Sequence, residues 1–140
     1  MNQNLLTSLQ KSGLRLTATR VAICNLLAET TSHPTAAQIY DQLKPQYPSL
    51  SLATVYNTLD VLVNMGVINV LGHSGDGNVH FEPNTSPHIN LACVRCHKIQ
   101  DLPADDLSRM EARVSTESGY KLLGARVMYY GICPECQAEH

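Results

Sequence analysis

The sequence predicts an α+β chain in two parts: a helical N-terminal half closed by a β-hairpin, and a smaller C-terminal α+β unit tied together by a metal. Three observations predict it. Apolar residues recur at helical spacing through the first half; two strand-like runs flank a Gly-rich stretch at 72–77; and two C-x-x-C pairs, Cys93/Cys96 and Cys133/Cys136, bracket a strand–helix–strand pattern.

In chain order, Leu5, Leu6 and Leu9 share one face of a first helix, which Gly13 closes. Thr17 is placed to cap a second, with Ile23, Leu26 and Leu27 inward and Cys24 as a small buried residue. Thr35-Ala36-Ala37-Gln38 has the T-x-x-Q form of a capping box, opening a third helix with Ile39 and Leu43 inward, and Pro45 and Pro48 end it. Ser51 caps a fourth helix, from Leu52 to about Met65, with Gly66 as its stop. Its apolar stripe is Leu52, Val55, Leu59, Leu62 and Val63; the opposite face shows Ala53, Thr54, Tyr56, Asn57 and Asp60. Short polar groups and a tyrosine near a helix N-terminus suit base edges and phosphates. Taken alone, the pattern equally describes an ordinary amphipathic surface helix.

Runs 67–71 and 78–81 then form a hairpin, and helices followed by a hairpin spell a winged helix. Residues 1–82 are therefore expected as one domain, 83–88 as a hinge and 89–140 as a second domain. In the second, 89–92 and 98–101 read as short strands around the first cysteine pair. Leu107, Met110 and Val114 mark a helix with Asp105 and Asp106 in its first turn; Gly119 ends it, and 120–132 is strand-rich up to the second pair.

The bulk numbers limit the functions open to the chain. At 140 residues, with 5% aromatics and no Trp, two small units gain from a metal or a dimer contact. A net charge of -2 speaks against indiscriminate nucleic-acid binding. Residues 1–72 carry four basic groups (Lys11, Arg15, Arg20, Lys44) against three acids, so DNA affinity must come from a few placed contacts, doubled by dimerisation. With no signal-like N-terminus and no apolar run of membrane-spanning length, the expectation is a cytoplasmic protein with reduced thiols and no membrane partner.

Five cysteines, an odd count, argue against a disulfide framework, whereas two C-x-x-C pairs supply the four thiolates of a tetrahedral structural Zn²⁺. Thirty-six residues separate Cys96 from Cys133, so an element must fold between the pairs. Redox-active thiols and an iron–sulfur cluster are rival readings. Cys93-Val94-Arg95-Cys96-His97 is also literally the C-x-x-C-H haem pattern, but haem leaves Cys133 and Cys136 unexplained.

An ordered set of stretches resembles the ferric uptake regulator superfamily over nearly the whole chain. They are Gly13-Leu14-Arg15-Leu16-Thr17, His33-Pro34-Thr35-Ala36 with Ile39-Tyr40, Ser51-Leu52-Ala53-Thr54-Val55-Tyr56-Asn57-Thr58-Leu59, and both cysteine pairs with Ile99-Gln100-Asp101. The resemblance implies a homodimeric, metal-dependent transcriptional repressor rather than an enzyme. Its N-terminal winged helix would bind double-stranded operator DNA, and its C-terminal unit would dimerise around structural Zn²⁺ on Cys93, Cys96, Cys133 and Cys136. It further implies a regulatory Fe²⁺ or Mn²⁺ site at His33, Glu82, His88, Asn90 and Asp101. DNA contacts would come from Arg15, Ser51, Thr54, Tyr56 and Asn57; Arg20 reads equally as a helix-surface charge.

The chain departs from this pattern at several positions. Position 90 is usually His in the family, and an amide oxygen in its place leans the site toward Fe²⁺ or Mn²⁺. Asn90 either ligates or stands behind the ligands; His73 and His80 have less claim. Gly is usual where His97 stands, so His97 reads as an exposed substitution. Pro87, Ile89 and Ala125 occupy places where iron- and zinc-sensing members build an additional site, and Asp101 replaces Glu, as in the peroxide-responsive branch. That branch implies Fe-dependent oxidation of a ligand histidine, His33 or His88. The alternatives are an iron- or manganese-uptake regulator of the same family and, more distantly, a zinc-stabilised thiol redox protein.

Overall fold

The computed structural model describes residues 2–72, 78–83 and 88–138, with side chains described from Leu5 onward. The hairpin turn at 73–77 with His73, and most of the expected hinge, 84–87 with Pro87, lie outside the described residues.

Four helices come first: α1 (Asn2–Lys11), α2 (Ala18–Glu29), α3 (Ala36–Leu43) and α4 (Leu52–Asn64). The last three start where side chains replace missing helical acceptors. Thr17 accepts from the Arg20 N–H, Thr35 and Gln38 form the reciprocal capping box, and Ser51 accepts from the Thr54 N–H. The end of α4 is equally well specified. Gly66, at φ 75, lets its own N–H reach Val63 O (2.9 Å) and the Val67 N–H reach Leu62 O (3.1 Å). Leu9, Ile23, Leu27, Ile39, Leu50, Val55, Leu59 and Leu62 close the core. Leu52 does not join it and is 40% exposed, because the first residue of α4 projects beyond the packed turns. Thr58 takes a buried place on the stripe, its hydroxyl donating to Thr54 O at 2.8 Å.

Strands β1 (Asn69–Gly72) and β2 (His80–Glu82) pair antiparallel, with Val70 opposite Phe81 and an irregularity between Val70 and Gly72. β1 begins later than the apolar run because Val67 is spent terminating α4. β2 is also stitched to the chain ahead of α3, through Phe81 N–H to Pro34 O (2.9 Å) and a bridge between Thr35 and His80.

Beyond residue 88, β3 (His88–Cys93) is the centre of a three-stranded sheet, antiparallel to β4 (Ile99–Pro103) and parallel to β5 (Met128–Gly131). Helix α5 (Asp106–Ser118) links β4 to β5, and α6 (Pro134–Ala138) carries the last cysteine. Asp105 stands at the cap of α5 without a side-chain capping bond, leaving Asp106 alone in the first turn. The strand expected over 120–132 is realised only at its end. The segment before it leans on the N-terminal half instead: Asn69 Nδ2 donates to Ala125 O (3.4 Å), the Arg126 guanidinium donates to Val70 O, and Leu123 packs against Gly66. His97, expected to be exposed, is half-buried and adopts φ 65, the conformation that makes glycine the easier residue there.

Candidate functional site

Two groups of ligand-bearing side chains come together among the described residues. The first joins three parts of the chain. His33 precedes α3, Glu82 ends β2, and His88, Asn90 and Asp101 lie on the C-terminal sheet. Strand alternation puts His88 and Asn90 on one face of β3, and Asp101 of β4 lies directly opposite Asn90 on that face.

His33 Nε2–H donates to Glu82 Oε1 (3.0 Å) and Asp101 Oδ1 (2.8 Å); His88 Nε2 lies 2.9 Å from the same Glu82 oxygen and 3.8 Å from Asp101 Oδ1. Burial alone would lower the His33 pKa. The hydrogen bond and charge of Glu82, then those of Asp101, outweigh it, and the imidazole pKa is raised. The two carboxylates that favour the protonated ring would equally favour a divalent cation. Asn90 is 2% exposed, and its Oδ1 is buried without a hydrogen-bond partner, while Nδ2 faces Val127 O at 3.5 Å. An orphaned amide oxygen is costly, and a hard cation on this face would satisfy it. Two imidazoles, two carboxylates and one amide oxygen fit a regulatory divalent metal.

His80, given little claim on the metal from sequence, belongs to this neighbourhood in another way. Its Nδ1–H donates to the His33 carbonyl at 2.6 Å, and the residue is 8% exposed. The signal was available in the alternation His80-Phe81-Glu82, which puts His80 and Glu82 on one side of β2.

The second group is Cys93, Cys96, Cys133 and Cys136, whose sulfurs all lie within 4.8 Å of one another. Cys96 and Cys133 are 3.8 Å apart. With metal–sulfur bonds of about 2.3 Å, the edge of a tetrahedron is about 3.8 Å. The Cys93 pKa is lowered because the backbone N–H groups of Cys133 and Cys96 donate to its sulfur, whereas the Cys136 thiol is pushed up to about 12 by its contact with Cys133. A dication would let all four ionise together, so the site suits structural zinc. A thiol redox role needs a thiol both low in pKa and accessible; Cys93 meets the first condition but is 3% exposed. Arg95 Nη1 to Cys136 O (3.2 Å) and Lys98 Nζ to Glu135 tie one cysteine pair to the other.

On α4, Tyr56 is 48% exposed and Asn57 points outward with it, clear of the core. Ser51 Oγ and Thr54 Oγ1 are 2.9 Å apart and engaged in the cap. Arg15 is exposed, and its carbonyl accepts from Arg20 Nη1 at 2.8 Å, so Arg20 braces the turn that presents Arg15.

The model of the ferric uptake regulator family matches residues 11–130. The peroxide-responsive repressor PerR of Staphylococcus epidermidis is 37% identical over 134 residues, covering 96% of this chain and 89% of that protein. The structure of PerR from Streptococcus pyogenes, described for peroxide sensing and gene regulation, shares 38% identity with a TM-score of 0.54, over 97% of this chain and 92% of that one. The manganese-bound ferric uptake regulator from Pseudomonas aeruginosa superposes with a TM-score of 0.72 at 25% identity, over 91% and 96% of the two chains.

Proposed function

This chain belongs to the ferric uptake regulator family, and from that premise we propose that it is a homodimeric, metal-dependent repressor that senses hydrogen peroxide. The observation that carries the proposal is the meeting of His33, Glu82, His88 and Asp101 at Nε2–oxygen distances of 2.8–3.8 Å, from segments that precede α3, end the hairpin and build the C-terminal sheet. Asn90, with its orphaned oxygen, is the fifth donor.

In this account residues 1–82 bind operator DNA, 83–88 form the hinge and 89–140 dimerise. Tyr56, Asn57 and Thr54 on α4, with Arg15 and the Ser51 cap, face the DNA. The exposed apolar surface of the C-terminal unit supports a partner copy: α5 buries no residue and exposes Met110 (61%) and Val114 (44%), and β5 exposes Tyr129 (58%) and Tyr130 (60%). Gripping His33 from the DNA-binding half and Asp101 from the other fixes the spacing of the two α4 helices in the dimer, and with it the fit to half-sites one turn apart.

Fe²⁺ held by these residues would promote a two-electron oxidation of a ligand imidazole by peroxide, in which the O–O bond breaks, one oxygen joins the ring and water leaves, whereas Mn²⁺ would hold the same residues without that reaction. His33 and His88 both meet Glu82 Oε1 and would be the rings within reach of that oxidation. Either ring, on gaining an oxygen, weakens as a ligand and frees its half of the chain, and repression lifts. A second reading, uptake regulation by iron or manganese without peroxide chemistry, draws on Asn90 in place of the usual imidazole. Mn²⁺-dependent operator binding measured with the wild type and with Asp101→Ala tests the shared part. Binding that ignores both Mn²⁺ and Asp101 would refute it.

A further inference from the structure

We propose that His80 is a positioning residue for the regulatory site, its Nδ1–H fixing the main chain of His33 against the strand that carries Glu82. The inference rests on the reading of that site as metal-binding. His33 lies in the irregular stretch between α2 and α3, where no helix or ladder holds its backbone. Three contacts replace that support: the Phe81 N–H to Pro34 O at 2.9 Å, the bridge between Thr35 and His80, and His80 Nδ1–H to His33 O at 2.6 Å. His33 and His80 are 9% and 8% exposed, so a carbonyl left without this donor would be buried and unpaired.

The geometry points to a double grip. His80 and Glu82 alternate onto one face of β2. The first holds the His33 backbone and the second holds its ring, through Glu82 Oε1 at 3.0 Å from Nε2. The hairpin strand thus carries both a donor atom for the metal and the device that aligns a ligand 47 residues earlier in sequence. Outer partners of metal ligands typically govern affinity by 10–100-fold, because a ligand free to swing must be ordered on binding.

The test is Mn²⁺ titration of the full-length zinc-loaded protein by calorimetry, with His80→Leu and His80→Asn beside the wild type. Leucine keeps apolar volume and removes the donor; asparagine places its Nδ2–H close to where the imidazole Nδ1–H stood. His80→Leu is expected to weaken Mn²⁺ binding roughly tenfold or more, and His80→Asn to stay within about threefold of wild type. Zinc content should be unchanged in both. A leucine variant that binds Mn²⁺ like wild type, or an asparagine variant as weak as leucine, overturns the role. If the leucine variant does not fold, His80→Ala repeats the comparison without bulk. Absence of Mn²⁺ binding by the wild type would instead refute the metal-site reading on which this one stands.

Discussion

Replacing Gly66 with alanine asks whether the segment after α5 is seated on the end of α4. Gly66 has φ 75, a left-handed conformation that costs an L-residue about 1–2 kcal/mol. A Cβ there would stand 3.0 Å from the Leu123 Cβ and 3.4 Å from its carbonyl oxygen. Neither atom can rotate away, so the backbone around Leu123 must shift, and overpacking of this kind costs roughly 1–3 kcal/mol more. Gly13 supplies the control: at φ 89 an added Cβ meets nothing within 4 Å, so Gly13→Ala carries the conformational cost alone. The expected losses are about 2–5 kcal/mol for Gly66→Ala and about 1–2 kcal/mol for Gly13→Ala. At roughly 3 °C per kcal/mol for a chain of this size, Tm should fall by about 6–15 °C and about 3–6 °C respectively. Thermal denaturation of the zinc-loaded protein by circular dichroism reads both. Equal losses would mean that Leu123 is not against Gly66, and the docking of the two halves along this segment would be wrong.

Cys96→Ser, or zinc removal by a strong chelator, is expected to unfold the C-terminal unit, since structural zinc contributes on the order of 10 kcal/mol; zinc-free protein with intact secondary structure would contradict this. The raised His33 pKa sets the pH dependence of the protein without regulatory metal. Its contribution is fully present below the ordinary imidazole value of about 6.5 and is lost as pH rises through the higher native value. Tm should therefore decline as pH rises above about 6.5, and saturating Mn²⁺, which takes the proton's place, should remove the decline. A metal-free Tm that rises over that window would reverse the sign assigned to His33. His97→Gly relieves a φ of 65 and should raise Tm by about 3 °C; a lower Tm would show that contacts of the ring outweigh the strain.

The helical half was legible because local chemistry decides it. Thr17, Thr35 with Gln38, Ser51, Gly13 and Gly66 each do in the structure what their residue type suggests. The cysteine cluster was legible from its two C-x-x-C pairs, whose four sulfurs come within 4.8 Å of one another once the strands and helix between them fold. Leu52 misled because an apolar residue in phase with a stripe still projects past its end. The stretch 120–127 misled because it is held by contacts 50 or more residues away, to Gly66, Asn69 and Val70, rather than by a strand, and its Tyr120 and Leu123 stay exposed. The histidine–carboxylate group needed the family resemblance, since nothing local links His33 to Asp101 across 68 residues. The alternation His80-Phe81-Glu82 placed His80 beside Glu82, but its bond to the His33 carbonyl stayed hidden, because sequence does not mark a backbone acceptor.

The central claim is that His33 and His88 share one peroxide-sensing metal site. Peptide mass spectrometry, after brief exposure of Fe²⁺-loaded and Mn²⁺-loaded protein to low peroxide, tests it most directly. The account predicts a gain of one oxygen on His33 or His88 with iron and none with manganese, with operator binding lost in step. Histidines left intact by iron and peroxide, in protein whose DNA binding still follows the metal, would contradict peroxide sensing and leave an uptake regulator.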